Sequence, residues 1–142
     1  MPSVGYSEDS MSETRLVFLI VGLEEEDRQT LTRAANRFGC DLIGAGTIRD
    51  AIRLVRDRVV RVIFCSCNLP DGDWRELLDL SAAWSSPPKV IVVSRLAGNR
   101  LWSEVLNLGG YDLLAAPLEE REVSYVLISA CHDLHGAEPS PQ

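Results

Sequence analysis

The sequence has no apolar run long enough to cross a bilayer. Its longest, Leu16 to Leu23, is interrupted by Gly22 and falls far short of the roughly 20 residues that a membrane helix needs. It also has no basic face. The net charge is −7, and the thirteen arginines are interleaved with acids. Neither nucleic acid nor an anionic membrane surface is therefore an expected partner. Residues 1–14 are polar and carry Glu8, Asp9 and Glu13, without the basic region and apolar stretch of a secretory signal. The expectation is a cytoplasmic protein. A C-x-x-C motif is missing as well: the cysteines are Cys40, Cys65, Cys67 and Cys131, and the Cys65-x-Cys67 spacing is not that of a redox or zinc site. In a reducing compartment they are expected to be thiols packed as small hydrophobes, with a redox role as the alternative. No internal repeat and no low-complexity segment occurs, and lysine occurs once, at Lys89.

What is present is an ordinary globular composition, 46% hydrophobic and 25% charged over 142 residues. That length suits one domain, able to bury about 70% of its unfolded surface without a disulfide or metal. The polar start and the Pro-containing end suggest flexible termini at 1–14 and 136–142, around a domain at 15–135. Within it, short apolar runs alternate with helical patterns. Strands are expected at Arg15 to Val21, Asp41 to Ala45, Arg61 to Ser66, Val90 to Val93 and Leu113 to Ala115.

Between them, Glu24 to Phe38 has acids in its first turn, Arg33 and Arg37 in its last and Gly39 as a stop, which suits a helix. Thr47 and Asp50 resemble a capping box before a helix with Ile48, Ala51, Ile52 and Val55 on one face. Asp73 is placed to cap a helix from Trp74 to about Trp84, with Leu77, Leu78 and Leu80 toward the core. Asn99 to Leu108 and Glu119 to about Leu134 complete the helices. Five strands alternating with five helices predict an α/β protein, a doubly wound parallel sheet with helices on both faces. Sites in such sheets form beyond the carboxyl ends of the strands. There the sequence reads Gly22-Leu23-Glu24, Ser66, Ser94 and Ala116-Pro117.

Those positions, the segment Asn68-Leu69-Pro70-Asp71-Gly72-Asp73, Gly109-Gly110 and Pro117 together resemble response-regulator receiver (CheY-like) domains. The likeness covers about Arg15 to Leu134. It runs without a gap from Leu19 to Leu78 through Arg28, Leu31, Gly39, Ala45, Ala51-Ile52 and Leu69-Pro70. It implies a three-layer flavodoxin-like (βα)5 fold of strand order 2-1-3-4-5 and a cis bond at Ala116-Pro117. It also implies which positions carry the family's chemistry. The acidic pair of the family falls on Gly22 and Leu23, the phosphoacceptor aspartate on Ser66, the hydroxyl residue on Ser94, the lysine on Ala116 and a common aromatic on Leu113. Mg²⁺ requires a shell of oxygens anchored by carboxylates, which Gly22 and Leu23 cannot supply. The expectation is a degenerate pseudo-receiver with no metal and no cofactor. Lys89 begins a strand, at the wrong end of a parallel sheet to replace the missing lysine.

Neighbouring residues invite other readings. A nucleophilic Ser66 needs an adjacent base, and His132 and His135 lie far away in the last helix. The run Glu24-Glu25-Glu26-Asp27 reads as a solvated first helical turn in preference to a displaced metal site. Asp71 and Asp73 read as turn and cap residues, and Cys131, His132 and His135 as an ordinary helix end. Trp74 stands where the family commonly has glycine, at the rim of the phosphorylation pocket, and is open to two readings: partner anchor or extra core. Trp102 with Leu101, Val105 and Leu106 forms a second apolar face, again core or interface.

The expected function is that of a stand-alone receiver-like signalling domain, not an enzyme. It would not be phosphorylated on Asp and would bind a protein partner or a second copy of itself. The resemblance implies the face of the fourth helix, fifth strand and fifth helix for that contact. The alternatives are a phosphorelay receiver with an unusual acceptor such as Asp71, and a small flavodoxin-like ligand binder or redox sensor.

Overall fold

A computed structural model describes residues 16–136 of the chain, with side chains placed as far as Asp133. The expectations for residues 1–14, for the tail beyond Gly136 and for the His135 side chain fall outside the described residues. The elements run β1 (Val17–Val21), α1 (Glu25–Arg37), β2 (Asp41–Ala45), α2 (Ile48–Leu54, extended by a 3-10 turn at Val55–Asp57), β3 (Val62–Ser66), α3 (Trp74–Ala82), β4 (Lys89–Ser94), α4 (Asn99–Asn107), β5 (Asp112–Ala115) and α5 (Glu120–Gly136). The five strands form one parallel sheet in the order β2-β1-β3-β4-β5. A two-residue hairpin, Asn68–Leu69 with Gly72–Asp73, precedes α3. This is the flavodoxin-like (βα)5 architecture, and the Ala116-Pro117 bond is cis.

The sheet is covered on both sides, which is why its inner strands are apolar without alternation. On one side Phe18, Ile20, Phe64, Ile91 and Val93 meet Leu31, Ala34 and Ala35 of α1 and Val123, Leu127 and Ala130 of α5. Phe18 and Phe64 stack edge to face at 6.3 Å. On the other side Leu19, Val21, Ile63, Val90 and Val92 meet Ile48, Ala51, Trp74, Leu77, Leu78 and Val105 from α2, α3 and α4. Local chemistry fixes the helix starts. The Thr47 hydroxyl accepts from the Asp50 N–H at 3.0 Å, and the Asp73 carboxylate accepts from the N–H groups of Arg75 and Glu76 at 3.0 and 3.4 Å.

Several side chains differ from expectation. Leu80 is 40% exposed, because the buried stripe of α3 is Trp74, Leu77, Leu78 and Ser81 and Leu80 lies outside it. Trp74 is 1% exposed and Val105 is fully buried, so neither is available to a partner. Trp74 directly follows the capping Asp73, one turn ahead of Leu77 and Leu78, and the same helical period turns its indole inward. Val105 is the residue of α4 that faces the sheet. Leu101 is half-buried and Trp102 is 46% exposed. Asp27 is not solvated: it is 5% exposed and its carboxylate accepts from the buried Leu118 N–H at 2.8 Å.

Candidate functional site

Gly22, Leu23, Ser66, Ser94 and Ala116 come from four different strand ends and line one cleft of about 490 Å³ at the carboxyl edge of the sheet. Glu24, Asp27, Cys67, Asn68, Arg95 and Leu96 also line it. The two wall carboxylates are both engaged. Glu24 pairs with Arg95 at 2.7 Å across the cleft, and that bond holds the Arg95 guanidinium more firmly protonated than usual. Asp27 is bound to Leu118 as described. The Ser94 hydroxyl accepts from the Leu96 N–H at 3.0 Å, shaping the β4–α4 turn. Ser66 and Ala116 bring no charge. The cleft therefore holds two hydroxyls, one arginine–glutamate bridge and an aspartate turned to a backbone amide.

The backbone at the end of β1 leaves no room for a side chain at position 22. Gly22 has φ +71, in the left-handed region that L side chains rarely occupy. A Cβ added there would lie 2.4 Å from Leu69 Cδ2. Its N–H is tied to the Ala45 carbonyl at 2.9 Å, so the turn is anchored from both sides. Leu69 from the hairpin occupies the space a β1 side chain would need. Lys89 sits at the opposite end of β4, with its ammonium 5.0 Å over the Tyr111 ring, and does not line the cleft.

Asp71, the alternative acceptor, does not line the cleft either. Its two carboxylate oxygens accept from the Ile48 and Arg49 N–H groups at 2.9 and 3.1 Å. It caps α2 from outside, and the Ile48 bond above all lowers its pKa below the ordinary carboxylate value. A depressed folded-state pKa contributes stability above the unfolded value and loses it as pH falls through the lower folded value. Protection of the Ile48 and Arg49 amides, measured against their intrinsic exchange rates, should therefore be full above the ordinary carboxylate range near pH ~4 and fall away as pH drops through the lower folded-state value. In Asp71→Ala that protection should be lost across the same pH range; equal protection in the variant would refute the cap. Asp73 is likewise committed: besides capping α3 it pairs with Arg75 at 2.9 Å, and Arg75 reaches Glu104 of α4 at 2.6 Å. The Arg75 guanidinium also lies 4.8 Å from the centroid of the Trp74 ring, over the buried indole. Burial pushes the Cys65 thiol up to about 12, which removes it as a nucleophile.

The sequence reading missed Arg95, Asp27 and the approach of Leu69 to Gly22. Arg95 had a signal, since it directly follows Ser94. The Leu69 contact had none, because it depends on the hairpin's path.

No family model and no curated protein matches the chain. Solved structures similar to it are receiver domains. The signal receiver domain of a putative LuxO repressor protein from Vibrio parahaemolyticus is 19% identical, over 89% of this chain and 99% of that one, with a TM-score of 0.77. The receiver domain of an HD-domain-containing protein from Pseudomonas fluorescens is 23% identical over 86% and 98%, with a TM-score of 0.75. The chemotaxis response regulator CheY4 of Vibrio cholerae is 17% identical over 82% and 99%, at 0.73. The chain thus has the receiver-domain fold over nearly the whole length of these structures.

Proposed function

We propose that this chain is a pseudo-receiver, a signalling domain of receiver type that takes no phosphoryl group on aspartate and acts by binding a protein. One observation carries the reading: the cleft brings Gly22, Leu23, Ser66 and Ala116 together, with no carboxylate at the end of β1 or β3 to bind Mg²⁺ or accept a phosphoryl group. The remaining acids of the cleft, Glu24 and Asp27, are spent on Arg95 and on the Leu118 amide. Incubation with acetyl phosphate and Mg²⁺ should leave the intact mass unchanged. Addition of one phosphoryl group would overturn the proposal, and mapping it to Asp71 would establish the alternative acceptor.

The surface offered to a partner is the one bounded by α4, β5 and α5. Trp102 on α4 is 46% exposed, and Tyr125 and Ile128, three residues apart on the outer side of α5, are 79% and 54% exposed. Large exposed aromatics of this kind are common interface anchors. A bait carrying Trp102→Ala and Tyr125→Ala should recover its partner about tenfold less well than wild type. Val59→Ala, at another exposed apolar residue, should recover it equally; equal recovery by all three baits would sink this surface.

A further inference from the structure

We infer that the loops at the amino edge of the sheet form a binding site for a small aromatic carboxylate. The inference rests neither on the pseudo-receiver reading nor on the partner surface proposed above. A pocket of about 300 Å³ lies between the end of α2 and the α3–β4 loop, ahead of the neighbouring strands β3 and β4. It is at the end of the sheet away from the cleft of Ser66 and Ser94. Local structure opens it. After Leu54, α2 tightens into the 3-10 turn Val55–Asp57, and Arg58 is extended at φ −153 and ψ 155. The chain then passes the exposed Val59 and turns Val60 into the core at 3% exposure. Opposite, α3 ends at Ala82, and the Trp84 N–H donates to the Ser81 carbonyl at 3.1 Å. Trp84, Ile52 and Val55 are half-buried against the core cluster that holds Val60, Leu77 and Leu78. The pocket thus has an apolar floor continuous with the core.

The polar residues that line it are Arg56, Arg58, Ser85 and Ser86, and no carboxylate lines it. In a chain of net charge −7 this composition selects the sign of a ligand. Arg28, Arg33, Arg37, Arg53, Arg75 and Arg95 are each paired with an Asp or Glu. Arg56 and Arg58 make no ion pair and no side-chain hydrogen bond with any described residue, and Asp57 between them does not line the pocket. A guanidinium presents paired N–H donors that match a carboxylate, and the serine hydroxyls add further donors. The apolar floor and the indole of Trp84 suit an aromatic body, by burial and by ring contact. The volume stands at the lower end of small-molecule sites, about 300–1,000 Å³, so the body is one ring or two fused rings. An acidic protein segment would engage the arginines and leave the apolar floor uncovered, which favours the small molecule.

Titration of the isotope-labelled protein with naphthoate, read by NMR, tests the site. The Trp84 indole N–H and the backbone amides of Val59 and Ser85 should shift together and saturate. The dissociation constant should be about 1 mM or lower, as a ligand of this size reaches at ordinary efficiency. Naphthamide, a neutral analogue of the same shape, should bind about tenfold more weakly. Acetate, which carries the charge without the ring, should not saturate in the same range. Arg56→Gln/Arg58→Gln should bring naphthoate to the affinity of naphthamide and leave naphthamide unchanged. Both arginines are exposed, so the melting midpoint of this variant should match wild type. Trp84→Ala should weaken both naphthalene ligands, and Trp84→Phe, which keeps a ring against the core, should weaken them less. Equal binding of naphthoate and naphthamide to wild type, or acetate reproducing the naphthoate shifts, would overturn the assignment. So would shifts that map to Ser66 and Arg95 in place of Trp84, or no saturation at about ten times the expected dissociation constant.

Discussion

Replacing Trp74 by alanine should destabilise the fold by about 3–5 kcal/mol, the range for removing a large aromatic from a packed core. Trp74 is the largest of the fully buried side chains, 1% exposed between Leu77, Leu78 and the sheet. In a domain of this size each kcal/mol corresponds to roughly 2–4 °C of melting temperature, so the midpoint should fall by about ten degrees or more. Trp74→Phe should lose less, because the ring still fills much of the space, and urea unfolding would rank the two. A Trp74→Ala midpoint matching wild type would refute the core placement and return the residue to the list of partner anchors.

Trp74 also marks the limit of what the sequence could say. Its inward direction was legible: Trp74, Leu77, Leu78 and Ser81 follow the i, i+3, i+4, i+7 period of a buried helical stripe. The comparison with a family that carries glycine at this position pulled the residue toward the rim, and the local period was the better guide. Asp27, expected in a solvated turn, is buried. The buried stripe of α1 is Asp27, Thr30, Leu31, Ala34 and Ala35, and extending the apolar pattern back one turn lands on the aspartate. Its acidic neighbours made it look like part of a solvated turn. The strands were easier, because glycines and caps punctuate them; Asp41–Ala45 lies between Gly39 and Thr47 and was placed to the residue. The site positions came from the resemblance to receiver domains, and the structure brings Gly22, Leu23, Ser66, Ser94 and Ala116 into one cleft. What spacing cannot carry is contact between distant segments. Asp27 with Leu118, Arg75 with Glu104 and Leu69 with Gly22 are each set by how helices and hairpin settle on the sheet.

That last contact governs any attempt to rebuild a phosphorylation site. The variant Leu23→Asp/Ser66→Asp/Ala116→Lys introduces two carboxylates and an ammonium into the cleft at positions whose backbone needs no positive φ. It should fold, because all three positions lie on an open cleft where solvent reaches the new charges. Adding Gly22→Asp is a different operation. The left-handed backbone at φ +71 costs a non-glycine residue about 1–2 kcal/mol. The new Cβ must also displace Leu69, whose Cδ2 is 2.4 Å from its position, at about 1–3 kcal/mol for overpacking. The quadruple variant should therefore be about 2–5 kcal/mol less stable than the triple by urea unfolding. Leu69→Ala added to the quadruple should recover part of that loss by clearing the side chain, although Leu69→Ala alone destabilises wild type. If the triple and quadruple unfold at the same urea concentration, the Gly22 turn is not the barrier to a side chain at position 22. Should they separate as expected, the turn after β1 excludes a side chain at position 22, and a carboxylate there requires the hairpin that carries Leu69 to move with it.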